Sequence, residues 1–184
     1  MAIRNTTDRW GAVTQLLHWL IVLLIVVQVT LATIAGELPL GEKKLTVFAY
    51  HKSVGISIFG LAILRLVWRW LNPTPLLPGT LKPYEQALAR FTHAALYVLL
   101  FVMPLSGWTM SSARGFPVSW FGFFQLPDLV PKSKPLYHGL VVTHATLACA
   151  LGVVVALHIA GALKHHLVLK DDVLRRMLPF PRNN

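Results

Sequence analysis

Four long apolar stretches constrain this chain more than any other feature. They cover residues 16–35, 47–70, 92–110 and 139–163. A bilayer core takes about 20 apolar residues per helix, and each stretch is close to that length. In lipid every backbone N–H and C=O must be satisfied within the segment, so the expected spanning element is a helix. The fold class that follows is all-α, an integral membrane four-helix bundle, with residues 1–184 forming one membrane domain. Composition agrees: 13% of the residues are charged, where a soluble domain carries about a quarter. That leaves no room for a large soluble domain. The first stretch is too long for a signal peptide, and no small-residue cleavage site follows it before Glu37.

Lys and Arg fix the expected orientation. With four spans both termini lie on one side. That side, with the second loop, carries Arg4, Arg9, Arg65, Arg69, Lys82, Arg90, Lys164, Lys170, Arg175, Arg176 and Arg182. The opposite side carries only Lys43, Lys44, Lys52, Arg114, Lys132 and Lys134. Positive charge is retained on the cytoplasmic side, so a multi-pass protein of the bacterial inner membrane with both termini cytoplasmic is expected. The net charge of +10 then reflects topology and contact with anionic lipid. Nucleic-acid binding is disfavoured, because the charges sit at helix ends rather than on one face.

The loops differ in kind. The first, residues 36–46, is short. The second, from Leu71 to Ala89, holds Pro73, Pro75, Pro78 and Pro83 and is expected to be extended and stiff. The third, from Ser111 to Tyr137, is the longest and carries Phe116, Trp120, Phe121, Phe123 and Phe124, rings that favour the membrane interface. A single cysteine, Cys149, excludes an intramolecular disulfide and reads as a small apolar packing residue.

Histidines carry the chemistry. Ionisable groups inside a bilayer are costly and face the bundle interior with a defined role. His18 falls near the cytoplasmic end of helix 1 and His51 near the outer end of helix 2. His144 and His158 lie fourteen residues apart on helix 4, about 21 Å along the axis and only about 40° around it. His144 thus matches His51 in depth, and His158 matches His18. Two depth-matched pairs suit two b-type haems, each needing axial imidazoles on opposite faces of a macrocycle. Zinc would want three or four clustered ligands. Gly55 and Gly152 are small neighbours that would let a macrocycle approach, or that simply allow helices to pack.

Beyond these residues the chain resembles the bacterial cytochrome b561 family over nearly its whole length. The resemblance is carried by Leu17-His18-Trp19 and by His51-Lys52-Ser53-Val54-Gly55. It continues through Arg65-Leu66-Val67-Trp68-Arg69 into Pro73-Thr74-Pro75, then His93, Tyr97, Pro104 and Gly107. It ends with His144, His158, His165-His166, Lys170-Asp171-Asp172 and Arg175-Arg176-Met177-Leu178-Pro179. It implies two haem b groups, held by His18 with His158 and by His51 with His144, the pairing that depth gives. Some members of that family pass electrons from superoxide to ubiquinone. Others carry electrons for a partner redox protein or anchor haem for a larger enzyme. The expected function is transmembrane electron transfer, oxidising superoxide and reducing ubiquinone as an oxidoreductase. The alternative is a non-catalytic conduit between the quinone pool and a periplasmic redox protein.

Other residues have two readings each. His93 lies at the depth of His18 and His158 and is expected to contact a haem propionate or quinone, with iron ligation the lesser alternative. Arg65 and Arg69 either snorkel to headgroups or bind a propionate, Arg69 being the candidate for the latter. His165 and His166 either face solvent or hydrogen-bond a quinone and relay protons. Lys52, with Arg114, Lys132 and Lys134, either belongs to an ordinary solvated end or draws in a small anion such as superoxide.

Overall fold

The computed structural model of the chain describes residues 2–76 and 81–179; Pro78 and Arg182 lie outside them. Four helices dominate: α1 (Ala12–Glu37), α2 (Glu42–Trp70), α3 (Pro83–Arg114) and α4 (Lys134–Leu163). Among the described residues each is long and apolar enough to cross a membrane, with α4 running on through a π-helical turn, Lys164–Val168. A two-stranded antiparallel hairpin, β1 (Val118–Trp120) and β2 (Phe124–Leu126), lies between α3 and α4.

The helices outrun the apolar stretches. Residues 83–89, expected in the second loop, are helical. Pro83 opens α3 at a position whose N–H has no helical partner anyway, and the Glu85 carboxylate accepts the Lys82 N–H at 2.9 Å. At its far end α3 continues to Arg114 and stops where Gly115 turns left-handed (φ 79°). The N–H groups of Gly115 and Phe116 then close on Ser112 and Ser111. The third loop loses its other end as well, because Ser133 caps α4 by accepting from the Leu136 N–H. Hydropathy marks the lipid-facing length, whereas capping residues set the helix ends.

Packing is uneven. α1 lies along α2, and α3 along α4, with α2 joining the two layers through α3. The buried core, Ile21, Val54, Ile58, Ala62 and Leu100, belongs to α1, α2 and α3. No residue of α4 is fully buried. Among its half-buried positions, His144, Leu147, Leu151, Val154 and His158 form one stripe at three- and four-residue spacing.

Polar contacts close the two ends. At the terminal end Asn5 accepts from the Gly11 N–H and the Thr14 hydroxyl, and donates to the Pro73 carbonyl. Gln15 and Trp19 donate to the carbonyls of Arg176 and Met177. Gly11 is required there, since a Cβ would strike the backbone of Arg4. At the other end the aromatic hairpin is pinned to α2. Ser53 donates to the Ser119 carbonyl and accepts the Phe121 N–H at 3.0 Å. Trp120 donates to Ser57. Three residues, Phe121 to Phe123, join the strands, with Phe121 and Gly122 at positive φ (48° and 81°).

Candidate functional site

Across the space between α4 and the α1–α2 layer the structure brings histidines together in pairs. His51 and His144 form a pair at the hairpin end, with ring centres 6.5 Å apart. His18 and His158 form a pair at the terminal end, at 6.2 Å. An imidazole nitrogen binds a metal ion at about 2.0 Å and lies about 1.1 Å from its ring centre, so two imidazoles on opposite faces of one iron have centres about 6.2–6.4 Å apart. Both spacings fit that arrangement. Helix separation fits as well: α4 packs along α3, so its histidine stripe meets α1 and α2 through side chains rather than closely packed backbone. A methyl group added at Gly152 would meet nothing within 4 Å, whereas one at Gly55 would press on the Gln28 amide at 3.2 Å. Among the described residues no cluster of three or more His, Cys, Asp or Glu has the geometry to hold a metal ion by itself. Donors in twos suit an iron whose other four ligands come from a macrocycle.

The pairs differ in their surroundings. At the hairpin end His51 Nδ1 lies 3.3 Å from the Gln28 carbonyl, and His144 Nδ1 lies 2.8 Å from the Ser106 hydroxyl. Contacts of this kind at Nδ1 orient a ligating ring. The Gln28 amide nitrogen approaches His51 Nε2 at 3.1 Å. His144 also rests on Gly107, where a Cβ would come within 3.0 Å of its Cε1. At the terminal end the His18 neighbour is a cation: Arg65 Nη1 lies 2.8 Å from His18 Nδ1. Arg65 and Arg69 both stand over the Tyr97 ring, at 5.8 and 5.7 Å. Neither makes an ion pair among the described residues.

His93 joins the terminal end, 5.2 Å from the His158 ring. That separation is too short for an iron between the two. His165 and His166 lie on the π-helical turn below α4. His165 Nδ1 is 2.6 Å from an Asp171 carboxylate oxygen, brought back by a left-handed Lys170 (φ 54°). His166 Nδ1 is buried without a hydrogen-bond partner among the described residues. Lys52 is tied down: its ammonium donates to the Ser111 hydroxyl and to the Pro117 carbonyl at 2.8 Å. Beyond it Arg114, Lys132 and Lys134 line one shallow cleft with Tyr137.

Sequence reasoning missed Gln28, Ser106 and Asp171 as neighbours of these histidines. Gln28 carried a signal, being a polar break in the first apolar stretch. Ser106 carried none, since it lies 38 residues from His144 and meets it only through helix packing.

The chain is similar to known proteins over nearly its whole length. The family described as prokaryotic cytochrome b561 matches residues 9–180. Cytochrome b561 homolog 2 of Escherichia coli K12 is 32% identical over 97% of this chain and 95% of its own length. A probable superoxide oxidase, CybB, of Yersinia pestis is 31% identical over 90% of this chain and 93% of its own. Cytochrome b561 homolog 1 of Escherichia coli K12 is 27% identical over 94% and 98%. This chain is a multi-pass membrane protein of the prokaryotic cytochrome b561 family, a family of b-type haem proteins that transfer electrons in membranes.

Proposed function

We propose that the chain holds two haem b groups, one between His51 and His144 and one between His18 and His158, and carries electrons from superoxide to ubiquinone. The observation that carries this reading is the spacing of the two ring pairs, each close to what a single iron requires. Haem b supplies one-electron exchange at its iron. Two superoxide ions give two electrons and leave as dioxygen; one ubiquinone takes those electrons with two protons and leaves as ubiquinol. Outer-sphere transfer needs no open coordination position, so six-coordinate iron is no obstacle. The 31% identity to a protein named a probable superoxide oxidase supports the choice of donor.

The chain's own residues divide the work by end. In this reading the hairpin end faces the periplasm and both termini face the cytoplasm of a bacterial inner membrane, following the Lys and Arg asymmetry. Arg114, Lys132 and Lys134 attract the superoxide anion, while Lys52 adds charge and holds the hairpin on α2. At the terminal end Arg65 and Arg69 provide counter-charges for propionates, and His93 contacts a propionate or quinone rather than iron. His165, oriented by Asp171, moves protons toward the quinone, and the unpaired His166 Nδ1 is a hydrogen-bond site for it.

Purified protein should show about two haems per chain and a six-coordinate low-spin spectrum. Stopped-flow mixing with superoxide should reduce the haem quickly, more slowly at high ionic strength, and added ubiquinone should reoxidise it. One haem or none overturns the site. Two haems that superoxide does not reduce favour a conduit for a periplasmic redox protein. A reporter fused at Asn184 should be active only as a cytoplasmic enzyme; activity of a periplasmic reporter there reverses the sides.

A further inference from the structure

The segment between α3 and α4 carries no charged residue from Gly115 to Pro127, and it does not stay at the helix ends. After the left-handed turn at Gly115 the chain runs back along α2. The Pro117 carbonyl meets Lys52, the Ser119 carbonyl and the Phe121 N–H meet Ser53, and the Trp120 indole donates to Ser57 at 3.0 Å. The edge of the apolar layer is marked by Lys44, in the first turn of α2, which donates to the Leu38 carbonyl just past the apolar stretch of α1. Ser53 lies nine residues in from Lys44 and Ser57 thirteen, about 14 and 20 Å along the helix axis. The hairpin therefore descends well into the apolar length of the bundle.

Main-chain groups of this segment are taken up by side chains. The Ser111 hydroxyl donates to the Phe116 carbonyl, and the Trp108 indole donates to the Pro127 carbonyl. Ser53 and Ser112 accept the N–H groups of Phe121 and Leu129. A loop in water leaves such groups to solvent, whereas non-helical backbone at membrane depth persists only where protein satisfies it. The joint with the helices is dry: Val118, Ser53 and Ser112 are 2% exposed or less. The tip is the opposite. Phe121, Phe123 and Phe124 gather around the Trp120 ring at 5.4 to 5.8 Å, yet they are 43%, 79% and 54% exposed.

We propose that residues 116–126 form a re-entrant hairpin whose tip, Phe121 to Phe124, sits in the hydrocarbon of the leaflet at the hairpin end and rests against lipid chains, with the return segment rising to the surface at Asp128. In water these outward phenylalanines would be a contiguous apolar patch; against acyl chains they cost nothing. An aromatic loop lying flat on the interface would not reach Ser57. The proposal depends on no haem and no electron donor, and it holds whichever side of the membrane that end faces.

Spin labelling in phospholipid vesicles tests it on the full-length, haem-loaded protein. The native cysteine is removed first (Cys149→Ser), and a nitroxide is attached at Phe123→Cys or at Asp128→Cys. Oxygen concentrates in hydrocarbon and a polar nickel chelate stays in water, so the ratio of the two collision rates reads the medium around each label. That ratio should be roughly tenfold higher at position 123 than at position 128, because a polar solute is excluded from the apolar layer. A chelate collision rate at 123 as high as at 128 overturns the proposal, since the tip then lies in water. Low rates with both reagents at 123 overturn it too, since a second protein surface then covers the tip. Should Phe123→Cys not accumulate, a label at Phe124→Cys is read by the same criteria.

Discussion

The hairpin end and the terminal end of this bundle present the same motif in two environments. Each has one histidine from α4 facing one from the α1–α2 layer, with ring centres 6.5 and 6.2 Å apart. At the hairpin end the rings are steadied by neutral partners, Gln28 and Ser106, and by close contact with Gly107. At the terminal end the partners are Arg65, a third histidine and a clasp made from both chain termini. Spacing is alike at both ends, as one iron per pair would require in the proposed reading, whereas the neighbouring charge differs.

The strongest way to break the comparison is to remove one ligand at a time. His144→Ala should take the haem content from about two to about one per chain, leaving the terminal haem, and His158→Ala should do the reverse. Haem quantitation with a visible spectrum measures both. Loss of both haems from either variant would mean that the pairs are not independent sites.

A smaller effect is expected from Lys52→Met. It removes one hydrogen bond to Pro117, just before the hairpin, and one to Ser111 of α3, a loss of about 2–3 kcal/mol at most, read as a lower thermal midpoint in detergent. If Lys52 is chiefly a pin, the salt dependence of haem reduction by superoxide should survive in this variant and fade in Arg114→Gln with Lys132→Gln. A salt dependence that vanishes with Lys52 alone would return the steering role to that residue.

Gly107→Ala should perturb only the hairpin pair. Its methyl group must displace the His144 ring by a few tenths of an ångström, at a cost of about 1 kcal/mol or more. The paramagnetic resonance signal of one ferric haem should shift while the other stays. Gly152→Ala, with open space around it, should change stability by less than about 0.5 kcal/mol.

Asp171→Asn should have the mildest consequence and belongs to the terminal end alone. It weakens the orientation of His165 without removing the ring. Quinone-dependent reoxidation should slow roughly two- to fivefold, and haem reduction by superoxide should be unchanged. Equal slowing of both steps would contradict the division of labour between the ends.

Much of the layout was legible beforehand because lipid imposes strict rules. Apolar length gave four helices, and helical rise and rotation gave the depth and face of His144 and His158; the rings thus matched are the ones that meet. Helix ends were less legible. Residues 83–89 looked like loop because Pro83 closes a run of four prolines, yet Pro83 starts a helix and Glu85 caps it. The aromatic third loop read as interfacial but as nothing more definite, since its hairpin depends on serines of α2 that lie some 66 residues away.

The sequence by itself determined that four stretches are long and apolar enough to span a membrane, how the histidines are spaced along them and which family the chain resembles. These depend on composition and on the fixed geometry of a helix, both local properties. Only the tertiary structure decided what touches each histidine. Whether His144 meets Ser106, whether Arg65 reaches His18 and whether Asp171 folds back on His165 depend on how helices are rotated against one another and on one left-handed residue at Lys170. Lipid tails reward every apolar face alike, so hydropathy cannot set that rotation; it follows from close packing and hydrogen bonds between segments far apart in the chain.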